Sequence, residues 1–294
     1  MKKLLFIICL AAFTAGCEKE VPFDPEESRT RIVMYSFLYP GEIIQVELTQ
    51  SQNILINSWN EDYPPVQNAI VRVYKDGELL GEMQEDQINN NGQYFLFETV
   101  EAGAEYRFQV AHSEFEGVQA FTRVPATPPT FTARLIDTTN FEWTLEVEVE
   151  DQSGANFYLA DFLWEYESGG ASLQPMYFSS TDPFLSTPYT YYDPTDPNKY
   201  FDGEAYFTDE HFADGTYTFR IKFYADYWTS QSFTGIHVRL KNMSEDYYRY
   251  KYSSLLQQWT DGDPFAQPAI VHNNVENGIG CVGSLFPGTV VVDL

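Results

Sequence analysis

Residues 141–149 read Phe-Glu-Trp-Thr-Leu-Glu-Val-Glu-Val, and this alternation restricts the segment to a strand with one dry and one wet face. Successive strand side chains point to opposite faces, so Phe141, Trp143, Leu145, Val147 and Val149 are expected inward. Glu142, Glu146 and Glu148 are expected outward. Shorter alternating runs fill residues 31–122, separated by turn residues such as Pro40-Gly41 and Asp76-Gly77. Both positions of an Asp-Gly turn tolerate positive φ, which makes that pair a hairpin signal. No helical period interrupts these runs, so residues 29–125 are expected to form a small antiparallel β-sandwich.

Val124-Pro-Ala-Thr-Pro-Pro129 marks a boundary, because proline denies a sheet its ladder donors. Residues 126–294 are expected to form a second, β-sandwich-like domain, with strands near 157–166, 217–224 and 233–240 and closing strands in the tail. One helix is expected at about residues 244–259: Ser244 caps it, Glu245 and Asp246 suit its positive end, and Asp261-Gly262 stops it. Tyr248, Tyr252, Leu255, Leu256 and Trp259 would form its buried stripe. Val66-Gln-Asn-Ala69, Asn91-Gly-Gln-Tyr94 and Ala102-Gly-Ala-Glu-Tyr106 resemble the immunoglobulin-like domains of bacterial surface proteins. The fold class is therefore mainly β, an N-terminal immunoglobulin-like β-sandwich and a second sandwich-like domain with one α-helix in the C-terminal third.

Residues 169–203 have another texture, with Pro175, Pro183, Pro188, Pro194 and Pro197 interleaved with tyrosine and phenylalanine. A long loop of this kind either packs on its own sheet or presents an adhesive face, since aromatics supply area with few rotatable bonds. Tyr177, Phe184, Tyr189, Tyr191, Tyr192 and Tyr200, with Trp228 beyond, are the candidate binding residues.

At the start, Lys2 and Lys3 precede a short apolar run that ends in Thr14-Ala15-Gly16-Cys17. A run of about ten residues is too short to span a bilayer as a helix and suits a secretory leader. Cysteine directly after Ala-Gly adds a bacterial lipoprotein reading: residues 1–16 leave, and Cys17 is acylated on its thiol and its new amino group. Two or more acyl chains anchor stably where one does not. Residues 17–28, acidic and proline-containing, would tether lipid to folded body. The expected location is the outer membrane, lipid-anchored and exposed on the cell surface.

Loss of the two leader lysines lowers the formal charge of −26 by two, to −28. So acidic a chain repels nucleic-acid phosphates and anionic headgroups, leaving the acyl group to touch the membrane. Cys281 is the one thiol left beside Cys17, so no internal disulfide forms, and its apolar neighbours predict a buried, inert group. The motifs call for no cofactor. The four histidines lack zinc-ligand spacing, and no nucleophile elbow or phosphate loop is present. Asp193, Asp196, Asp202 and Glu204 are weak calcium candidates that lack the glycine and terminal Glu of an EF-hand loop. Asp161 and Glu165 are a carboxylate pair of the kind a glycosidase uses, though 43 acids make such pairs commonplace. A membrane barrel would share the alternation, but the lipobox, the helix and the acidic outer faces oppose it.

Leu240-Lys-Asn-Met-Ser-Glu-Asp-Tyr-Tyr-Arg-Tyr250, Asp263-Pro-Phe-Ala-Gln-Pro268 and Asn273-Asn-Val-Glu-Asn-Gly-Ile-Gly280 together resemble an uncharacterised lipoprotein family of Bacteroidota, domain of unknown function 4249. Residues 207–215 and Ile32-Val-Met-Tyr35 fit as well, so the resemblance spans nearly the whole mature chain. The chain departs at Asn277 and at Cys281-Val-Gly283, where that family has glycine and an aromatic. The resemblance implies a two-part β protein of the cell envelope, with no established activity and frequent association with TonB-dependent outer-membrane receptors. Glu18-Lys19-Glu20 is similar to the signal that sends such lipoproteins to the cell surface. The function expected is non-enzymatic binding in partnership with such a receptor. The alternative is a glycan-binding module or glycan-active enzyme, and a glycan or peptide is the possible ligand.

Overall fold

The computed structural model describes residues 29–52, 63–139, 141–166, 172–188, 196–212, 215–225, 233–260, 267 and 269–294. The leader and tether lie outside the described residues. The described chain is mainly β with one α-helix, α1 (Glu245–Thr260). No described helix is long and apolar enough to cross a membrane.

In the first sandwich, β1 (Ile32–Leu38), β2 (Ile43–Gln50) and β6 (Gln93–Thr99) pair antiparallel. They face a second sheet in the order β4 (Glu78–Glu82), β3 (Ile70–Lys75), β7 (Glu105–Ala111), β8 (Val118–Arg123). This partition is immunoglobulin-like. Parity holds: Ile32, Met34, Tyr106, Phe108 and Val110 point in and are buried, and each fully buried large side chain contributes about 1.5–3 kcal/mol. The chain crosses between the sheets at Met83, whose N–H donates to Val71 O (2.8 Å), and then adds the two-residue edge β5 (Gln84–Glu85) beside β6.

In the second sandwich, one sheet runs β9 (Phe131–Asp137), β10 (Glu142–Glu150), β16 (Thr216–Tyr224), β13 (Tyr177–Ser180), β14 (Lys199–Asp202). The other contains β17 (Phe233–Met243), β11 (Phe157–Tyr166), β12 (Ser172–Pro175) and β15 (Glu204–Thr208). The loop expected at residues 169–203 is therefore sheet over much of its described length. Its chain turns the sandwich corner twice, at Met176 and at Gly203 (φ 75°). Phe162 ties both corners: its N–H donates to Gly203 O (3.1 Å) and its carbonyl accepts from Met176 N–H (2.9 Å). Met176, Phe178, Leu185 and Phe201 are core residues, so part of the expected adhesive texture is spent on packing.

The two bodies share a strand. β18 (Ile279–Asp293) pairs parallel with β1 over Ile279 to Ser284, then antiparallel with β17 from Leu285 to Asp293. At the change of partner, Ser244 and Ser284 exchange bonds: Ser244 N–H to Ser284 O (2.9 Å) and Ser284 N–H to Ser244 Oγ (3.1 Å). The expected division at residue 126 thus misses that part of the tail completes the first sandwich. A strand pairs wherever its edge meets a partner, whatever the distance in sequence.

The helix begins at Ser244 as expected, but its buried face is rotated. Tyr247 stacks on Phe37 (4.5 Å) and Tyr250 meets Tyr35 (5.6 Å), both on β1. Tyr248 and Tyr252 pack on Tyr206 of the second sandwich, while Trp259 is exposed. The helix must satisfy two bodies, so one stripe does not describe it. Cys281 is buried beneath it, and burial pushes its thiol pKa far up, consistent with an inert group.

Gly280 (φ 125°) and Gly283 are required by close approach. A Cβ at Gly280 would lie 2.1 Å from Met34 O, and one at Gly283 would lie 2.5 Å from Tyr247 Cβ. Gly280→Ala is expected to destabilise by about 3 kcal/mol or more, read as a lowered urea midpoint.

Candidate aromatic binding face

Strand parity also builds the surface. On β16 the residues Tyr217, Phe219, Ile221 and Phe223 point into the core, so Tyr224 must point out. It is 70% exposed. Ser179 of β13 lies opposite Lys222, and continuing that antiparallel register sets Tyr177 (73% exposed) opposite Tyr224. Tyr200 of β14 pairs with Ser179 and so occupies the same face, diagonal to Tyr177.

Phe141 joins them, contrary to the inward position expected from alternation. It precedes β10 with φ 60°, is 51% exposed, and its ring centroid lies 6.4 Å from that of Tyr224. Left-handed backbone at a bulky residue costs about 1–3 kcal/mol. Ala225 N–H, donating to Phe141 O (2.8 Å), holds it there.

Beside the rings runs a charged ladder. Lys222 pairs with Glu142 (3.2 Å). In the next rows Glu146 is clamped between Arg134 (2.6 Å) and Arg220 (2.7 Å) from the flanking strands. Glu146 does face outward as alternation predicts, yet the two arginine stems bury it. Hydrogen bonds from Arg134, then from Arg220, hold its carboxyl below the usual carboxylate range.

Of the residues singled out in the sequence, Tyr189, Tyr191, Tyr192, Asp193, Trp228 and Cys17 lie outside the described residues. Tyr177 and Tyr200 come together on this face. Phe184 packs edge-on to Tyr217 (6.3 Å) and is not shown to join it. Tyr224 and Phe141 were not singled out; parity along β16 carried the signal for Tyr224, whereas Phe141 departs from parity. The acidic candidates separate. Asp196 accepts from Tyr200 Oη (2.6 Å) and from Asn198, bonds that hold its carboxyl low. Asp202 and Glu204 straddle the Gly203 corner on different sheets. Among the described residues no three metal-ligating side chains converge.

The carboxylate pair also resolves into other partnerships. Asp161 meets Lys241 (2.5 Å), and Glu165 meets His237 (3.0 Å). Four residues apart on one strand places them about 13 Å apart, wider than either glycosidase spacing.

Because the folded pKa of Glu146 lies below its unfolded value, the clamp contributes fully above that value. Its contribution is lost as pH falls through the depressed one. Glu146→Gln is expected to cost roughly 1 kcal/mol at neutral pH, with the difference from wild type shrinking below about pH 4, as urea titrations would show.

No curated protein matches this chain. Among solved structures, a β-glucuronidase of Parabacteroides merdae aligns at 12% identity with TM-score 0.23, over 73% of this chain and 24% of that enzyme. Bacteroides uniformis β-glucuronidase 3 aligns at 10% identity with TM-score 0.23, over 72% of this chain and 23% of that enzyme. Bovine butyrophilin aligns at 11% identity with TM-score 0.21, over 72% and 91% respectively. The chain thus spans about a quarter of the two enzymes' length, and likenesses at these scores assign it no activity. A family described as Domain of unknown function (DUF4249) matches residues 18–287, and the chain belongs to that family.

Proposed function

We propose that this protein is a non-enzymatic binding protein, held on the cell surface by lipid on Cys17 and acting as accessory to a TonB-dependent outer-membrane receptor. The observation that carries the binding role is the convergence of Tyr177, Tyr224, Phe141 and Tyr200 on one solvent-facing sheet, with strained backbone at Phe141. Contiguous exposed aromatics mark interaction surfaces, and tyrosine and phenylalanine anchor them at small entropic cost. The leader motif and the family resemblance supply the location and the class of partner.

A second reading is favoured by the display of exposed rings on the neighbouring strands β14, β13 and β16. Rings displayed side by side on adjacent strands are suited to stacking against the apolar faces of sugars, so the ligand on this face would be a glycan.

The double substitution Tyr177→Ala with Tyr224→Ala separates the outcomes. Both side chains are exposed, so stability should change by less than about 1 kcal/mol. Co-isolation with the receptor from detergent-solubilised membranes is expected to fall at least roughly tenfold. Undiminished recovery would remove the assignment to this face, and binding on a glycan array that vanishes in the same variant would favour the second reading. Cys17→Ser is expected to move the protein from the membrane to the soluble fraction.

A further inference from the structure

The outer face of the first sandwich carries a second surface, on a different sheet from the aromatic face. A cleft of about 750 Å³ lies along the outer edge of β6, floored by Ile43, Phe95, Phe97 and Ile88. Two adjoining depressions continue it across β2 and β1 past Tyr39 and Phe37 toward α1. Counted from β5, which also lines it, to β1, the trough crosses three strand spacings, roughly 14 Å.

Its apolar groups are displayed rather than left over. Between β2 and β6 the register shifts at Ile43 and Ile44: Ile44 pairs with Leu96 but Ile43 with Thr99. The extra residues on β6 form a bulge carrying Phe97, which is 70% exposed, and bulges re-aim side chains near functional sites. Ile88 is 93% exposed at the tip of a turn that Asp86 builds. The Asp86 carboxylate accepts from Ile88 N–H (3.0 Å), Asn89 N–H (3.3 Å) and Asn89 Nδ2 (2.7 Å).

Charge decides the occupant. The trough is rimmed by Glu42, Glu47, Glu85 and Asp86, and among the described residues no Lys, Arg or His lines it. Asp86 is held ionised by its hydrogen bonds. Anionic lipid and nucleic acid are repelled. A second copy would bring acid against acid. The chain's own tether is unsuitable too, since residues 17–28 carry Glu18, Glu20, Asp24, Glu26 and Glu27 against the single base Lys19. The tether also enters at the opposite end of β1, roughly 20 Å from Leu38.

We propose that this trough docks a basic, apolar segment of a partner protein, its apolar side chains between Ile43, Phe97 and Ile88 and its cations on the acidic rim. The proposal stands independently of the aromatic face on the second sandwich.

Fluorescence anisotropy on the full mature chain tests it. The probes are a labelled peptide of about six alternating lysine and leucine residues and its glutamate–leucine counterpart. The lysine peptide should bind saturably and the glutamate peptide should not. Phe97→Ser with Ile88→Ser should weaken the lysine peptide roughly tenfold, and Glu42→Lys, an independent exposed change, should weaken it as well. Tyr177→Ala should leave it unchanged. Absence of lysine-peptide binding, equal binding of the two peptides, or undiminished binding to the Phe97/Ile88 variant would overturn the proposal. So would a dimer in sedimentation that the same variant dissolves, because the occupant would then be a second copy.

Discussion

One strand holds this molecule together. β18 gives its first six residues to β1 and the remainder to β17, and neither sandwich is complete without it. Its fifteen residues span roughly 45 Å, so a single continuous backbone ladder fixes the two bodies against each other. At the change of partner, Ser284 is fully buried and bonds to Ser244 at the start of α1 and to Arg123 O at the end of β8. A buried serine so placed would be costly without partners; here its bonds tie β18 to the start of α1 and to the end of β8.

The helix follows from that splice. Where one sheet passes from sandwich to sandwich, its outer face is left open on both sides of the junction. α1 closes it with Tyr247 and Tyr250 toward β1 and Tyr248 and Tyr252 toward Tyr206. Gly283 lets the helix backbone approach, because any side chain there would meet Tyr247. The glycines and Cys281 at this point in the chain are accounted for by close packing.

With the junction covered, the aromatic surface that remains open lies elsewhere. Four rings sit on the outer sheet of the second sandwich, and a cluster of apolar side chains with an acidic rim sits on the first. They differ in chemistry: the former lies beside paired arginines and lysine, the latter among acids with no cation in its described lining.

Much of this was legible in the sequence. Alternation in residues 142–149 and 216–224 identified strands and, by parity, which side chains face solvent, because strand geometry is local. The Ser244 cap and the burial of Cys281 were readable from their immediate neighbours in sequence. The texture of residues 169–203 misled: proline suggests a loop, but here it marks sandwich corners, and parity sends Phe178 and Phe201 inward while Tyr177 and Tyr200 stay out. Phe141 departed from alternation because its backbone is left-handed, which no hydrophobic pattern encodes.

By itself, then, the chain determined its class, many of its strands and its helix start, all consequences of a two-residue or 3.6-residue period. Only the tertiary structure decided that the last strand joins both sandwiches, that α1 faces two ways, and that Tyr177, Tyr224 and Phe141 share one patch. Those depend on which edges meet across more than a hundred residues, and pairing between distant strands is set by the packing of the whole rather than by any local period.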